Sequence, residues 1–205
     1  MKIAVDKNQF AGSHGKSNKF KHEQLQNVLG HTLVPIPLPF GDYCLITDVM
    51  QETIDRRGDK LKKQDLVGDI KVRVDTKKDL LEVCGNICSS SHNRIRDEII
   101  LSQKCGCTLY ILVENTDGIK SIDDVFKWHN PRLDIWVQDK SKILGYYKNG
   151  NPKYARKQKY PRATKGPQLA KAMLSMQYKY GVKFEFCKPS ESGKRILELL
   201  TGECK

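Results

Sequence analysis

The chain has 205 residues, 39% of them hydrophobic, and its 36 Lys and Arg against 24 Asp and Glu give a formal net charge of +12 at pH 7. This size and composition predict one domain with a substantial core. They exclude a membrane-spanning helix, because no stretch approaches the roughly eighteen apolar residues that a span needs. The first residues, "MKIAVDKNQF", lack the apolar core of a secretory signal, so we expect an intracellular protein.

The first third of the chain alternates strand and helix patterns. A short strand over 2–5 is followed by a polar, glycine-rich loop and then by a helix from about Ser17 to Leu29. The apolar stripe predicted for this helix contains Phe20, Leu25, Val28 and Leu29. The three prolines of "HTLVPIPLPF" favour an extended edge strand, and "GDYCLI" turns and continues as a strand.

The remaining elements follow in the same alternating order. Residues 47–68 predict a long connection with at least one helical turn, and "IKVRVDTK" predicts a strand that leads into a helical region over 79–104. "TLYILVE" is almost continuously apolar, as in a strand covered on both faces. A helix from Pro167 to Tyr180, a strand "VKFEF" and a last helix capped by Ser190 complete an α/β fold with a mixed central sheet.

The positive charge is concentrated in one segment. Between Lys140 and Lys165 there are nine Lys or Arg, no acid and four tyrosines. Cations attract phosphates and aromatic rings stack on unpaired bases, so this segment predicts nucleic-acid binding, although a solvated basic loop would have the same composition. The DNA-binding candidates within it are Lys148, Lys153, Arg156, Lys157, Lys159, Arg162 and Lys165.

Three carboxylates follow predicted strands: Asp6, Asp42 and Asp75. Strand ends converge at one edge of an α/β sheet, where such folds place their sites. Mg²⁺ needs only a few hard oxygen ligands and keeps several waters, so Asp42, Asp75 and the backbone carbonyl of Thr76 are candidate ligands. Asp6 and Glu23 are further candidates.

Lys77 lies two residues after Asp75, so both side chains point to the same face of the strand, roughly 7 Å apart. In a metal-dependent site Lys77 would orient the attacking water and neutralise charge that grows on a phosphate. An acid-x-Lys pattern alone is also typical of a solvated strand face. The additional signal is a Gly-Asp pair 33 residues earlier, with Val-Asp-x-Lys ending an apolar strand.

At these residues the chain resembles a known family. The stretches "VDKNQ", "LPFGDYCLI", "VDTKKDL", "SHNRIRDEIILSQKCG" and "LYILVEN" occur in the order found in the XPF-type nuclease domain, a branch of the PD-(D/E)xK endonucleases. This chain is similar to the stand-alone form of that domain in bacteriophages and bacteria. The resemblance covers most of residues 1–130 and, more weakly, 167–200.

The resemblance implies a restriction-endonuclease-like, three-layer α/β/α core over residues 1–205, with a basic insertion at about 130–166. It also implies an Mg²⁺- or Mn²⁺-dependent endonuclease that cuts branched, flap or junction DNA. The expected location is the cytoplasm of a bacterial or phage-infected cell, and a homodimer is one possible state of assembly. The catalytic residues carried over are Asp6, Asp42, Asp75 and Lys77. Arg94 and Arg96 fall in the arginine-containing helix that follows and are DNA-binding candidates. Asp75 stands where the family usually has glutamate, and Thr76 replaces an arginine.

Two other classes of function stay open. One is a catalytically weak DNA-binding or inhibitory module on a nuclease fold. The acids and the lysine at the family's catalytic positions favour the enzyme over this alternative. A zinc-dependent interaction protein would use some of the seven cysteines, but the C-x3-C and C-x-C spacings of Cys84, Cys88, Cys105 and Cys107 fit no standard zinc knuckle. We therefore expect buried free thiols and no zinc.

Overall fold

A six-stranded mixed sheet organises the part of the chain that the computed structural model describes, residues 1–10, 12–68, 70–88 and 92–203, with the side chains of 12–17 not described. The strands in chain order are β1 Lys2–Asp6, β2 Thr32–Ile36, β3 Tyr43–Leu45, β4 Val72–Lys77, β5 Thr108–Glu114, β6 Trp136–Tyr146, β7 Pro152–Gln158 and β8 Lys183–Cys187. The helices are α1 Gly12–Glu23, α2 Asp48–Arg57, α3 Leu80–Ile87, α4 His92–Lys104, α5 Ile122–Val125, α6 Gly166–Tyr180 and α7 Ser192–Thr201. Within these residues no helix combines the length and apolarity needed to cross a membrane.

The order of the central sheet is β2-β1-β3-β4-β5-β8. Strand β1 is parallel to β2, whereas β3 is antiparallel to both of its neighbours, β1 and β4. Strands β4, β5 and β8 run parallel. The predicted mixed sheet is therefore confirmed, and the carboxyl ends of β1, β4 and β5 meet the start of β3 at one edge.

Helices cover both faces of this sheet, which confirms the predicted three layers. On one face, α3, α4, α5 and α6 pack on Leu109, Ile111 and Val113 of β5, and α2 packs on the neighbouring strands. On the other face, α1 and α7 enclose Leu112 of β5 with Val74 of β4. Successive residues of a strand point to opposite faces, so the continuous apolar run of β5 reflects burial on both sides.

Two helix boundaries differ from the sequence prediction. Helix α1 begins at Gly12, within the predicted loop, and continues as a π-helical turn over Gln24–Val28. The predicted apolar stripe was wrong, because Phe20 and Val28 are 57% and 75% exposed. The last helix begins at Ser192 after a 3-10 turn over Pro189–Glu191, and its N-cap is Glu191 rather than Ser190.

The basic segment forms an antiparallel hairpin of strands β6 and β7. No residue of either strand is buried, so the hairpin projects from the core rather than packing into it. Its base is held by backbone and side-chain hydrogen bonds, with Lys159 N donating to Ile135 O at 2.7 Å and Asn130 Nδ2 donating to Thr164 O at 2.8 Å. The basic segment thus has regular secondary structure.

Candidate active site

The Gly-Asp pair reaches the sheet edge through a tight crossing of the chain. Gly41 has φ 67°, and a Cβ atom there would lie 3.3 Å from the Cβ of Arg73, so the position favours glycine. The next residue, Asp42, is fixed between two strands, because its N–H donates to Val74 O at 2.8 Å and its carbonyl accepts from Asp6 N at 2.9 Å. The backbone thereby places Asp42 beside the end of β4.

Both oxygens of the Asp42 carboxylate accept hydrogen bonds. Oδ2 accepts from the N–H and the hydroxyl of Thr76, at 2.8 and 2.7 Å, and Oδ1 accepts from Gln9 Nε2 at 2.7 Å. Gln9 is in turn held by Asn18 of α1, whose amide donates to its Oε1. These contacts fix the orientation of the carboxylate before any ligand binds.

Asp75 and Lys77 lie side by side at the end of β4, as the strand period predicts. Lys77 Nζ is 2.6 Å from Asp75 Oδ2, and the two side chains are only 7% and 8% exposed. A buried ion pair of this kind holds both groups in one arrangement, since leaving either charge unpaired would be costly.

The three charges act on one another. Burial, followed by the negative charge of Asp75, raises the pKa of Asp42 to about 7 from its usual 3.8. Burial alone would lower the pKa of Lys77, but Asp75 and Asp42 together raise that pKa above its usual value. Lys77 is therefore a permanent cation, suited to stabilising negative charge rather than accepting a proton.

The residues present fit a hard divalent cation. Two carboxylates whose charges repel one another are stabilised by a cation between them, and carboxylate oxygens are the protein ligands that Mg²⁺ and Mn²⁺ prefer. Among the described residues, no group of three or more His, Cys, Asp or Glu is arranged to hold a metal ion. Asp42 and Asp75 alone would leave such an ion with several water ligands, as Mg²⁺ commonly keeps.

The other two predicted ligands, Asp6 and Glu23, have partners of their own. The carboxylate of Asp6 accepts from Asn8 N at 3.0 Å and from Leu38 N at 3.1 Å, so it ties two loops to the end of β1. Glu23 is exposed and lies 3.7 Å from Lys19, one turn back on α1.

The predicted DNA-binding cations are exposed, except for Arg96, which is half-buried. Arg94 and Arg96, on α4, lie near the acids Glu98 and Asp97, at 3.7 and 3.3 Å. The seven candidates of the basic segment are all exposed, on or next to the hairpin. Lys157 is partly neutralised, because its Nζ lies 3.1 Å from Asp139 Oδ1.

Several charged residues near the sheet edge were missed by the sequence prediction. Burial, followed by the charge of Asp75, raises the pKa of Glu98, so this α4 side chain lies within the field of the site. Across the sheet, Lys21 of α1 forms a buried ion pair with Glu114 at the end of β5. Next to Lys21, His22 Nε2 is 3.0 Å from the Tyr43 hydroxyl. Only the spacing of Arg94 and Glu98 on one helix face was visible in the sequence.

We expect His22 to make stability fall with acid. Burial and the charge of Lys21 lower its pKa to about 4 from 6.5. Between those values the unfolded chain binds the proton and the folded chain does not, so the free energy of unfolding decreases as pH falls through this window. Asp42 acts in the opposite direction, because its folded pKa is raised to about 7.

Comparing the wild type with His22→Gln separates the two effects, since Asp42 titrates in both proteins. The stability advantage of the wild type over the variant should shrink by up to about 3 kcal/mol between pH 7 and pH 4. Urea unfolding in chelator at both pH values measures this. A constant difference would contradict the assignment of a neutral buried His22.

Zinc is not expected on the cysteines. The described cysteines are free, and burial raises the pKa of Cys84, Cys107 and Cys187 to about 12, which disfavours the thiolate that zinc requires. Cys204 lies outside the described residues. Metal analysis of protein purified without chelator should find less than one zinc per chain, and one tightly held zinc per chain would contradict the prediction.

Comparisons with known proteins give the fold. No protein-family model and no curated protein sequence matches the chain. Among solved structures it is similar to XPF from Aeropyrum pernix, with 16% identity and a TM-score of 0.48 over 100% of this chain and 62% of that one. It is also similar to XPF from Aeropyrum pernix in complex with DNA, with 15% identity and a TM-score of 0.50 over 98% of this chain and 64% of that one.

The chain thus spans just under two thirds of the length of the structures it matches. At these identities the likeness concerns the fold. The α/β fold of the nuclease type, expected from the resemblance of the sequence motifs, is confirmed by the mixed sheet and its helix layers.

Proposed function

We propose that this chain is an Mg²⁺- or Mn²⁺-dependent DNA endonuclease that hydrolyses phosphodiester bonds. The observation that supports this most directly is the convergence of Asp42, Asp75 and Lys77 at one sheet edge, with the acids repelling each other and the lysine held charged. DNA is the substrate favoured by the basic hairpin and by a fold similar to that of an XPF solved with DNA.

In this proposal Asp42 and Asp75 would hold the ion, whose charge would lower the pKa of a bound water and offset the phosphate charge. Thr76 and Gln9 keep the Asp42 carboxylate oriented through the contacts of 2.7 to 2.8 Å. Lys77, directed by Asp75, places a fixed positive charge beside the reacting phosphate, where a water-poor setting strengthens its effect. No step requires Lys77 to lose its proton.

The proposal extends to branched or partly unpaired DNA and to a nuclease of phage or bacterial type. A projecting hairpin with exposed cations and aromatic rings suits a junction between paired and unpaired strands better than uniform duplex. Whether two copies associate is a separate question, which sedimentation at several protein concentrations answers.

The test is to incubate the protein with labelled flap, fork, four-way and linear DNA in Mg²⁺, in Mn²⁺ and in chelator. We expect cleavage near the branch with either metal and intact DNA in chelator. Asp59→Asn, which removes an exposed carboxylate in the 3-10 turn that follows α2, is the matched control and should cut normally. Cleavage in chelator would contradict the metal-dependent mechanism.

A second candidate function is a DNA-binding module that does not cut. It is favoured by the three hydrogen bonds that the Asp42 oxygens already accept, out of about four lone-pair sites, and by the Asp75–Lys77 pair, which together leave fewer lone pairs for a metal. This alternative predicts binding to branched DNA without cleavage in either metal. The same assay distinguishes the two functions.

A further inference from the structure

The hairpin has two chemically different faces. Directly opposite residues of two antiparallel strands lie on the same face of the hairpin. Because successive residues of β7 alternate between the faces without interruption, each paired residue of β6 is assigned to the face of its β7 partner. One face, here called the aromatic face, contains Trp136, Gln138, Ile143 and Tyr146 from β6 with Pro152, Tyr154, Arg156 and Gln158 from β7. The opposite face contains Val137, Asp139 and Gly145 with Lys153, Ala155 and Lys157.

The ion pairs agree with this assignment. Asp139 and Lys157, both on the opposite face, are joined at 3.1 Å and cancel part of the charge there. On the aromatic face, Arg156 is exposed and has no carboxylate across the strand, since it faces Gln138. Trp136 and Tyr146 are 51% and 69% exposed. The aromatic face therefore offers rings and an arginine to solvent.

A cleft of about 580 Å³ continues the aromatic face at the base of the hairpin. Trp136 and Gln158, the last facing pair of the hairpin, form one wall, and Lys165 lies on another. His129 and Asp134, 2.8 Å apart, contribute polar groups. An acid in the wall disfavours a phosphate, whereas polar groups beside a tryptophan suit the edge and the plane of a nucleobase.

The hairpin lies on the same side of the molecule as the candidate active site. It is inserted between β5 and α6, and α6 leads back to β8, which is parallel to β5. A helix in such a crossover starts near the carboxyl ends of the strands, so the hairpin leaves the core at the edge where Asp75 and Lys77 end β4.

We propose that the aromatic face binds one unpaired DNA strand, with bases stacked on Trp136 and Tyr154, the backbone on Arg156, and one base in the cleft. This deepens the proposed function, on which it rests, by assigning a single-stranded arm of the substrate to a defined surface. From Pro152 to Gln158 the face extends about 20 Å, enough for roughly four nucleotides. Arg156 on this face and Lys165 in the cleft belong to a segment, 140–165, that has nine cations and no acid, which favours nucleic acid over a protein partner.

The test measures binding without cleavage, so it does not depend on the nuclease activity. The full chain in chelator is titrated against fluorescein-labelled oligothymidylate of about fifteen nucleotides and against a duplex of equal length, by fluorescence anisotropy. Trp136→Ala and Tyr154→Ala should each weaken oligothymidylate binding about 5- to 150-fold and affect duplex binding less. Tyr178→Ala, which removes a tyrosine that is 92% exposed on α6, should leave both affinities unchanged.

Tryptophan fluorescence provides a direct readout, because Trp136 is exposed, whereas the second tryptophan, Trp128, is buried in the wall of the cleft. Oligothymidylate should quench the wild type, and Trp136→Phe should lose most of the quenching while keeping most of the affinity, since phenylalanine still stacks. Equal weakening by Tyr178→Ala, an unchanged affinity in Trp136→Ala, or tighter binding of duplex through the same residues would overturn the proposal. So would self-association that Trp136→Ala abolishes without any change in DNA binding.

Discussion

Asp42→Asn and Asp75→Asn are each expected to lower DNA cleavage by about 100-fold or more, because a metal ion supplies several kcal/mol of transition-state stabilisation that one remaining carboxylate does not secure. Binding of uncut DNA in chelator should stay within a few-fold of the wild type, since the basic hairpin is unchanged. Single-turnover cleavage of a fork in Mg²⁺, with anisotropy in chelator, measures both quantities.

The same two variants should change stability in opposite directions. In chelator, Asp42→Asn removes a buried charge whose pKa is raised to about 7 by burial and Asp75, so we expect a gain of about 1–3 kcal/mol at pH 8. Asp75→Asn removes the partner of buried Lys77, so we expect a loss of similar size. Thermal unfolding in chelator measures the difference.

Asp59→Asn serves as the control for both readouts and should behave as the wild type. Normal cleavage by both site variants would show that the metal site lies elsewhere. If instead neither the variants nor the wild type cut any DNA while all bind it, the non-cutting module is the better description.

The candidate site was predictable from two local signals, a strand periodicity and a Gly-Asp pair. Asp75 and Lys77 are two residues apart on a strand, which puts them on one face whatever the rest of the fold does. Asp42 was found because a Gly-Asp pair after an extended segment is a recognisable signal, and Gly41 proves to be required by its positive φ and close contact. Local patterns therefore located these three residues.

Helix α1 was mispredicted because its buried face is polar. Asn18, Lys21, His22 and Leu25 have the 3-1-3 spacing of one helix face and are all buried. A search for apolar stripes selects Phe20 and Val28 instead. Each buried polar residue of this face is compensated by a partner distant in sequence, such as Gln9, Glu114 or Tyr43, and those pairings are set by the sheet order. The faces of the hairpin are a similar case, since its register contains irregularities that the sequence does not reveal.

Lys21→Met is expected to lower the free energy of unfolding by about 3–5 kcal/mol, because it leaves the carboxylate of Glu114 buried without a counter-charge. Lys21 and Glu114 are 5% and 8% exposed, so water does not replace the lost partner. Glu114→Leu alone should be damaging for the same reason, since it leaves the ammonium group of Lys21 unpaired.

The double variant Lys21→Met/Glu114→Leu should recover most of this loss, because two apolar side chains of similar size replace a buried ion pair at little net cost. Urea unfolding at pH 7 of the four proteins in this cycle gives the coupling energy. Additive losses in the double variant would contradict a direct buried pair.

DNA cleavage by the double variant tests whether the pair belongs to the active site. Because the pair lies on the sheet face covered by α1 and α7, a stable double variant should cut DNA as the wild type does. A stable but inactive one would instead place the pair in the active site.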